Sequence, residues 1–203
     1  MMTKNRIRRT PSQTIGPFFA YSLAAEQYGY DYNSIVNGYL LDETTAGERI
    51  YITGNIFDGA GNKIHDALIE LWQPGANGEY RKIAINKKND SFTGFGRHGT
   101  GTHPERKFSF VTIKPGTSGE NETPHINIIL FMRGSLLPLY TRLYFSDEEE
   151  ANGKDALLNA VDENRRKTLV AQLQEKPGIV EYVFNIYMQG ENETAFFDVE
   201  ETK

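Results

Sequence analysis

The chain has 203 residues, of which 38% are hydrophobic and 12% aromatic, so it is long and apolar enough for one sizeable folded domain. Its net charge of −5 excludes the broad basic surface that nucleic acids and anionic membranes attract, and no apolar run approaches the length needed to cross a bilayer. The absence of cysteine excludes disulfides, thiolate nucleophiles and cysteine-ligated clusters, and it suits a reducing cytoplasm, where we expect the protein to reside.

The first 17 residues are predicted to form an extended N-terminal arm. Pro11, Gly16 and Pro17 fall within seven residues, which prevents a continuous helix and favours extended or turn backbone. Such an arm cannot bury its own backbone groups, so we expect it to dock on another surface. Residues 18–203 show no linker, repeat or low-complexity tract, and we predict that they form a single domain.

From Ile50 onwards the hydrophobic period is two, which predicts β-strands separated by turns rich in Gly, Pro and Asn. The run 125–132 is almost continuously apolar and is therefore predicted to be a central strand. Together these runs predict an all-β fold, an antiparallel β-sandwich. The predicted strands are 50–57, 67–72, 107–113, 125–132, 140–145, 180–188 and 194–199.

A helical insert is predicted near 146–173. Ser146 and Glu149 have the spacing of a capping box at a helix N-terminus. Apolar residues then recur at helical spacing as far as Leu173, with two groups at 157–161 and 169–173.

The residues alone show no self-contained active site. A His-x-His strand would direct two imidazoles to one face, but here the pattern reads His125-Ile126-Asn127, and a carboxamide is a poor transition-metal ligand beside imidazole. The glycine-rich stretch 94–99 lacks a strand-to-helix context and is predicted to be a flexible surface loop.

Several blocks in order resemble the intradiol ring-cleavage dioxygenases, and the resemblance spans nearly the whole chain. The opening block is TPSQTIGPF, and later blocks include GNIFDG, IELWQ, ANGEY, KPG, PHINI and TRLYF. The closing block runs from QGENET to FFD. The resemblance implies the β-sandwich of that family, and the C-terminal block is similar to that of its α-type chains.

The resemblance also implies the family's ferric site, which two tyrosines and two histidines form. Tyr80 and His125 stand at two of these positions, whereas Asn127 stands at the second histidine and no tyrosine follows the KPG turn, where 117–120 reads TSGE. Tyr80, His125 and Asn127 are therefore expected to be a vestigial metal site that binds no metal. The Fe(III) cofactor is then expected on a partner, an iron-bearing β-type chain of the same family.

In the family the arm of an α-type chain reaches the β-type chain's catalytic pocket, and Thr14, Gly16 and Pro17 match that motif. Arg133 matches an arginine that lines the pocket, and a guanidinium can bind a substrate carboxylate through two parallel hydrogen bonds. Arg142 is a second, less favoured candidate. No catalytic residue is expected on this chain alone.

The resemblance implies O₂ insertion between the two hydroxylated carbons of 3,4-dihydroxybenzoate (protocatechuate), giving 3-carboxy-cis,cis-muconate in the β-ketoadipate pathway of aromatic catabolism. The α-type and β-type chains are expected to form a higher oligomer. One alternative is a stand-alone, homo-oligomeric intradiol enzyme that acts on catechol. A second is a non-enzymatic β-sandwich binding module that has kept only the scaffold.

Overall fold

The computed structural model describes residues 14–16, 18–81 and 92–198 and consists mainly of β-strands. Within these ranges the nine strands are β1 Arg49–Phe57, β2 Leu68–Trp72, β3 Phe95–Gly99, β4 Lys107–Ile113, β5 His125–Phe131, β6 Leu139–Phe145, β7 Val170–Lys176, β8 Ile179–Val183 and β9 Ile186–Tyr187. The helices are α1 Phe18–Leu23, α2 Glu149–Asn152, α3 Ala156–Ala160 and α4 Glu163–Arg166, with one 3₁₀ turn at Lys167–Leu169.

The strands form two layers that are joined into one curled sheet. The hydrogen-bonded order is β3-β2-β5-β6-β7-β8-β1-β4, and β9 pairs with β1. One layer, β3 to β6, is antiparallel throughout, and a short parallel pairing of β6 with β7 at Tyr144 and Phe145 leads into the other. In the second layer β8 and β9 both run parallel to β1. The predicted all-β class is confirmed, and the sheet is mixed where antiparallel strands alone had been expected.

The core lies between the layers because alternate residues of each strand point inward. Ile69 and Leu71 of β2 pack in the same cluster as Phe110 of β4, although these strands stand near opposite ends of the sheet order. The segment 37–40 closes the gap between the two edges. Its carbonyl groups accept hydrogen bonds from Arg97 on β3 and Val111 on β4.

The alternating runs predicted from the sequence are confirmed as strands, most closely at β4, whose bounds match. One loop prediction and one strand prediction were wrong. The stretch 94–99 is not a surface loop, because β3 occupies most of it and pairs with β2 along its whole length. The run 194–199 is not a strand within the described residues, where only an isolated bridge joins Phe197 to Tyr140.

The helical insert is shorter than predicted, because helical structure ends at Leu169 and β7 begins at Val170. The expected capping box does not form: the Ser146 hydroxyl instead accepts a hydrogen bond from the backbone N–H of Leu173. The caps are Asp155 and Asp162, whose carboxylates accept from the first-turn N–H groups of α3 and α4.

The division into an arm at 1–17 and one domain at 18–203 stays a prediction, since most of the arm lies outside the described residues. Among the residues that are described, no helix has the length and apolar character of a membrane span.

Candidate functional site

The residues singled out in the sequence fall into two separate groups at the two ends of β5. His125 and Asn127 lie at its beginning, whereas Arg133 follows two residues after its last residue, Phe131. At about 3.4 Å per residue, roughly 15–20 Å separates Asn127 from Arg133. The positions that were expected to form a vestigial metal site and the expected pocket-lining residues therefore lie in different parts of the protein.

The arm and the turn after β5 are joined by a hydrogen bond. The backbone N–H of Gly134 donates to the hydroxyl of Thr14 at 2.9 Å, although the two residues are 120 apart in sequence. Gly134 has a φ of +89°, a conformation that favours glycine, so the turn directs its N–H towards the arm. Thr14 and Arg133, which the sequence analysis assigned to one pocket, thus lie side by side.

Arg133 is the cation of this first group. Its side chain is 54% exposed and forms an ion pair through Nε with Oδ2 of Asp66, whose own side chain is only 10% exposed. Because the contact is made through Nε, the two terminal nitrogens are left available for a planar carboxylate. The buried carboxylate of Asp66 thereby places a negative charge against the Nε side of the guanidinium.

Gly16 is exposed and is not required by packing within the chain. A Cβ placed on Gly16 would meet nothing within 4 Å, and its backbone is not in the left-handed region. If Gly16 must be small, the reason has to lie on a partner surface. Pro17 lies outside the described residues.

The second group is a row of side chains on three adjacent strands. Trp72 of β2 stands opposite Asn127 of β5, and Asn127 stands opposite Arg142 of β6. The amide of Asn127 is held from both sides, since its nitrogen donates to the Tyr80 hydroxyl at 2.8 Å and its oxygen accepts from Arg142 Nε at 3.2 Å. Tyr80 packs edge-on against Trp72, with 5.6 Å between ring centroids.

A carboxylate completes this row from the loop that follows the KPG turn. Arg142 contacts Glu122 at 3.4 Å, and the Ser118 hydroxyl donates to the other carboxylate oxygen at 2.6 Å. The hydrogen bond from Ser118, aided by the nearby charge of Arg142, holds the pKa of Glu122 below its usual range despite partial burial. Glu122 is therefore an anion at neutral pH.

His125 is buried with its ring orientation fixed. Its Nδ1 lies 2.9 Å from the Thr123 carbonyl, which can only accept, so Nδ1 carries the proton and Nε2 keeps a lone pair. That Nε2 atom is buried and has no hydrogen-bond partner among the described residues. Burial, followed by the charge of Arg142, lowers the pKa of His125, so the imidazole is neutral.

Tyr80 is a phenol rather than a phenolate in this setting. Burial raises its pKa, which outweighs the opposing effects of the Asn127 hydrogen bond and the Arg142 charge. A cavity of about 310 Å³ opens beside this row. Apart from Asn127 and Arg142, its walls are mainly apolar. Its lining includes Trp72, Asn127, Tyr140, Arg142, Leu157 and Phe197.

The residues of this row do not fit the ferric ion that the resemblance implies. Two of the four expected ligands are absent, the amide of Asn127 is engaged by Arg142, and a permanent cation occupies the centre of the row. Among the residues that the structure describes, no three His, Asp or Glu side chains come together as a metal site. No step of a reaction is therefore assigned to a metal on this chain.

Sequence analysis grouped Tyr80, His125 and Asn127, but it missed two of their neighbours, Arg142 and Glu122, and it missed Asp66, the partner of Arg133. Arg142 was taken as a second pocket arginine, yet its nitrogens contact Asn127 and Glu122 at the far end of β5 from Arg133. Glu122 and Asp66 carried no sequence signal, because both lie in loops and acquire partners only through the fold. The register of β5 with β6 was the information needed to find Arg142.

Comparison with protein families and curated proteins gives concordant results. A family model described as Dioxygenase matches residues 32–190. The chain is 44% identical over 194 residues to the protocatechuate 3,4-dioxygenase alpha chain of Burkholderia cepacia, with coverage of 95% of this chain and 98% of the relative. It is 42% identical over 195 residues to the alpha chain of the same name from Pseudomonas putida, with coverage of 93% and 96%.

A more distant relative is the protocatechuate 3,4-dioxygenase beta chain of Burkholderia cepacia, 26% identical over 211 residues, with coverage of 94% of this chain and 88% of that one. Among solved structures, the dioxygenase domain of a carbohydrate-binding fusion from Streptomyces sp. SirexAA-E aligns with a TM-score of 0.60 and 24% identity. The alignment covers 79% of this chain and 89% of that chain. An intradiol ring-cleavage dioxygenase from Tetranychus urticae also aligns with a TM-score of 0.60, at 17% identity, covering 78% and 88%. At these identities the structural likeness shows the fold.

Proposed function

The chain belongs to the dioxygenase family, among its intradiol ring-cleaving members, and we propose that it serves as the iron-free subunit of a protocatechuate 3,4-dioxygenase. The predicted resemblance is confirmed, because two relatives above 40% identity carry the alpha-chain name over almost their whole length. The relative named beta chain shares ancestry with this chain, so an iron-bearing partner would have a related fold. The proposed reaction is the cleavage of 3,4-dihydroxybenzoate by O₂ between its hydroxylated carbons, with 3-carboxy-cis,cis-muconate as the product.

The contact between Thr14 and Gly134 is the observation that carries the proposal. It holds Thr14 against the turn that presents Arg133, so that residues 14–16 and a cation form one exposed surface. A partner pocket covered by this surface would gain a fixed positive charge beside the position of a substrate carboxylate. Positioning and electrostatic stabilisation of this kind need no metal on this chain.

The surface around Arg133 suits contact with a second chain. Phe18, Leu136 and Leu137 are 77%, 61% and 62% exposed, and they follow shortly after Thr14 and Gly134 in the sequence. Exposed apolar side chains around a cation resemble the mixed composition of protein interfaces. We propose that this surface meets the iron-bearing chain in a hetero-oligomer of the two chains.

The role of Arg133 is tested in the complex co-expressed with its iron-bearing partner. Arg133→Ala is expected to raise KM for protocatechuate by about 10- to 100-fold, since a hydrogen-bonded contact to a charged group contributes about 1.5–3 kcal/mol. The iron content of the complex should not change. An unaltered KM would contradict the proposed role.

Arg165→Ala is the matched control. Arg165 is 44% exposed and pairs with Glu193 at 3.3 Å, so it resembles Arg133 in exposure and in having a carboxylate partner. It lies in the last turn of α4 and has no place in the proposed surface. Its replacement should leave KM unchanged, and an equal rise in both variants would mean that loss of net charge explains the effect.

The two alternatives considered from the sequence are less well supported. A stand-alone catechol dioxygenase needs a complete ligand set on one chain, and here Asn127 and Arg142 occupy that region. If the chain were a binding module without catalytic function, the contact between Thr14 and the turn beside Arg133 would have no assigned role. Oxygen uptake by the chain alone and by the complex distinguishes all three.

A further inference from the structure

Arg142 is a largely buried cation that lies beside a set of potential ligand atoms. Its side chain is 19% exposed, and its nitrogens lie 3.2 Å from Asn127 Oδ1 and 3.4 Å from Glu122 Oε1. Its third nitrogen is buried and has no hydrogen-bond partner among the described residues. The guanidinium is permanently protonated, so its charge cannot be removed by burial.

The groups around this cation are of the type that holds a metal ion. Tyr80 contributes a phenol oxygen, His125 an imidazole lone pair fixed by its contact with the Thr123 carbonyl, and Glu122 a carboxylate. An imidazole whose other nitrogen donates to a backbone carbonyl has the arrangement usual for metal-binding histidines. Hard oxygen donors with imidazole would suit a trivalent or divalent transition metal.

We infer that the Arg142 guanidinium takes the place of a metal ion among these groups, and that Arg142 together with Asn127 prevents the chain from binding iron. The inference rests on the part of the proposed function that assigns iron to the partner, and it is independent of Thr14, Gly16 and Arg133. Two features act together. Asn127 removes one ligand, and a nearby positive charge repels any cation that the remaining groups could bind.

Glu122 gives the inference a specific consequence. With Asn127→His, the chain would offer one phenol, two imidazoles and one carboxylate, which is a complete set of four. The ligand that is missing after the KPG turn would then be replaced by the carboxylate of Glu122. Under these conditions only the charge of Arg142 would still exclude the metal.

The test uses the full chain, purified as wild type, Asn127→His, Arg142→Gln and the double variant, each incubated with iron and freed of excess. The double variant is expected to retain about one iron per chain and to show a visible tyrosinate-to-iron charge-transfer band, whereas the other three retain none. Adding Tyr80→Phe to the double variant should abolish the band.

Arg97→Gln combined with Asn127→His is the matched control. Arg97 is similarly buried, with a side chain 13% exposed, and pairs with Glu70 at 2.5 Å on the β2–β3 pair. The Arg97→Gln substitution changes the net charge by the same amount as Arg142→Gln, but at a position away from Tyr80, His125 and Glu122. Iron retention by this control, or by Asn127→His alone, would show that Arg142 does not close the site. A folded double variant without iron would equally overturn the inference.

A second measurement covers the case in which the double variant does not fold. Arg142→Lys keeps the charge and Arg142→Gln removes it, both in the otherwise unchanged chain. If the cation balances Glu122 as a metal ion would, Arg142→Gln should unfold at a lower urea concentration than Arg142→Lys. Equal midpoints for the two variants would contradict the inference.

Discussion

The carboxylate of Asp66 pairs with Nε of Arg133, so a nearly buried anion before β2 lies against an exposed cation after β5. Replacing Asp66 with Asn keeps the shape and removes the charge. In the complex we expect KM for protocatechuate to rise by up to about fivefold, because a partly exposed ion pair contributes about 1 kcal/mol or less. The rise should be smaller than that caused by Arg133→Ala.

The double variant Asp66→Asn/Arg133→Ala shows whether Asp66 acts through Arg133. If it does, the double variant should have the same KM as Arg133→Ala alone, because the two changes remove one shared interaction. Additive effects would indicate that Asp66 contacts the substrate or the partner on its own account. A lower KM in Asp66→Asn would mean that its negative charge repels the substrate.

Gly16→Ala separates a role at the interface from a role in the fold. The added methyl group meets no atom of this chain within 4 Å, so the urea-induced unfolding of the isolated chain should not change. In the complex the same methyl group should crowd the partner's pocket and lower kcat/KM several-fold, as overpacking commonly costs about 1–3 kcal/mol. Gly153→Ala is the control, since Gly153 has only ordinary contacts and lies beyond α2. An unaffected kcat/KM in the Gly16→Ala complex would argue against the docked arm.

His98 should make the stability of the chain depend on pH. Burial lowers its pKa to about 4, and the ring packs against Phe110 with 6.0 Å between centroids. The unfolded chain, with a histidine pKa of about 6.5, binds this proton more readily, so the stabilisation is complete above that pH and declines as the pH falls towards 4. Between pH 7.5 and 5 the free energy of unfolding should fall by about 1–2 kcal/mol from this residue.

Urea titrations of His98→Gln at the two pH values measure this contribution. The variant should lose less stability than the wild type on acidification, whereas the exposed His65→Gln should behave like the wild type. Identical pH dependence in the wild type and His98→Gln would show that the buried imidazole is not the group responsible.

The predictable part of the fold was the part with local signals. Strict alternation predicted β1 and β4 with nearly correct bounds, because one face of each strand is buried. Strand β3 was missed because its glycines favour a loop prediction. The strand is stabilised by its pairing with β2, which is not a local signal. Strand β7 was read as helix because Leu169, Val170 and Leu173 have helical spacing, and only its non-local pairing with β8 decides its structure.

The candidate site divides in the same way. Tyr80, His125 and Asn127 could be grouped from the resemblance, and the structure brings the hydroxyl of Tyr80 within 2.8 Å of Asn127. The central position of Arg142 could not be predicted, because it depends on the register of β6 against β5. The pairing of Asp66 with Arg133 likewise requires two chain segments far apart in sequence to meet.

The most direct test of the account measures iron content and oxygen uptake on protocatechuate for this chain alone, for an iron-bearing partner alone and for the co-expressed complex. The account predicts that the chain alone is colourless, retains no iron and consumes no oxygen, and that the complex contains the partner's iron and is the most active preparation. A purified single chain that carries iron and turns over protocatechuate unaided would contradict it.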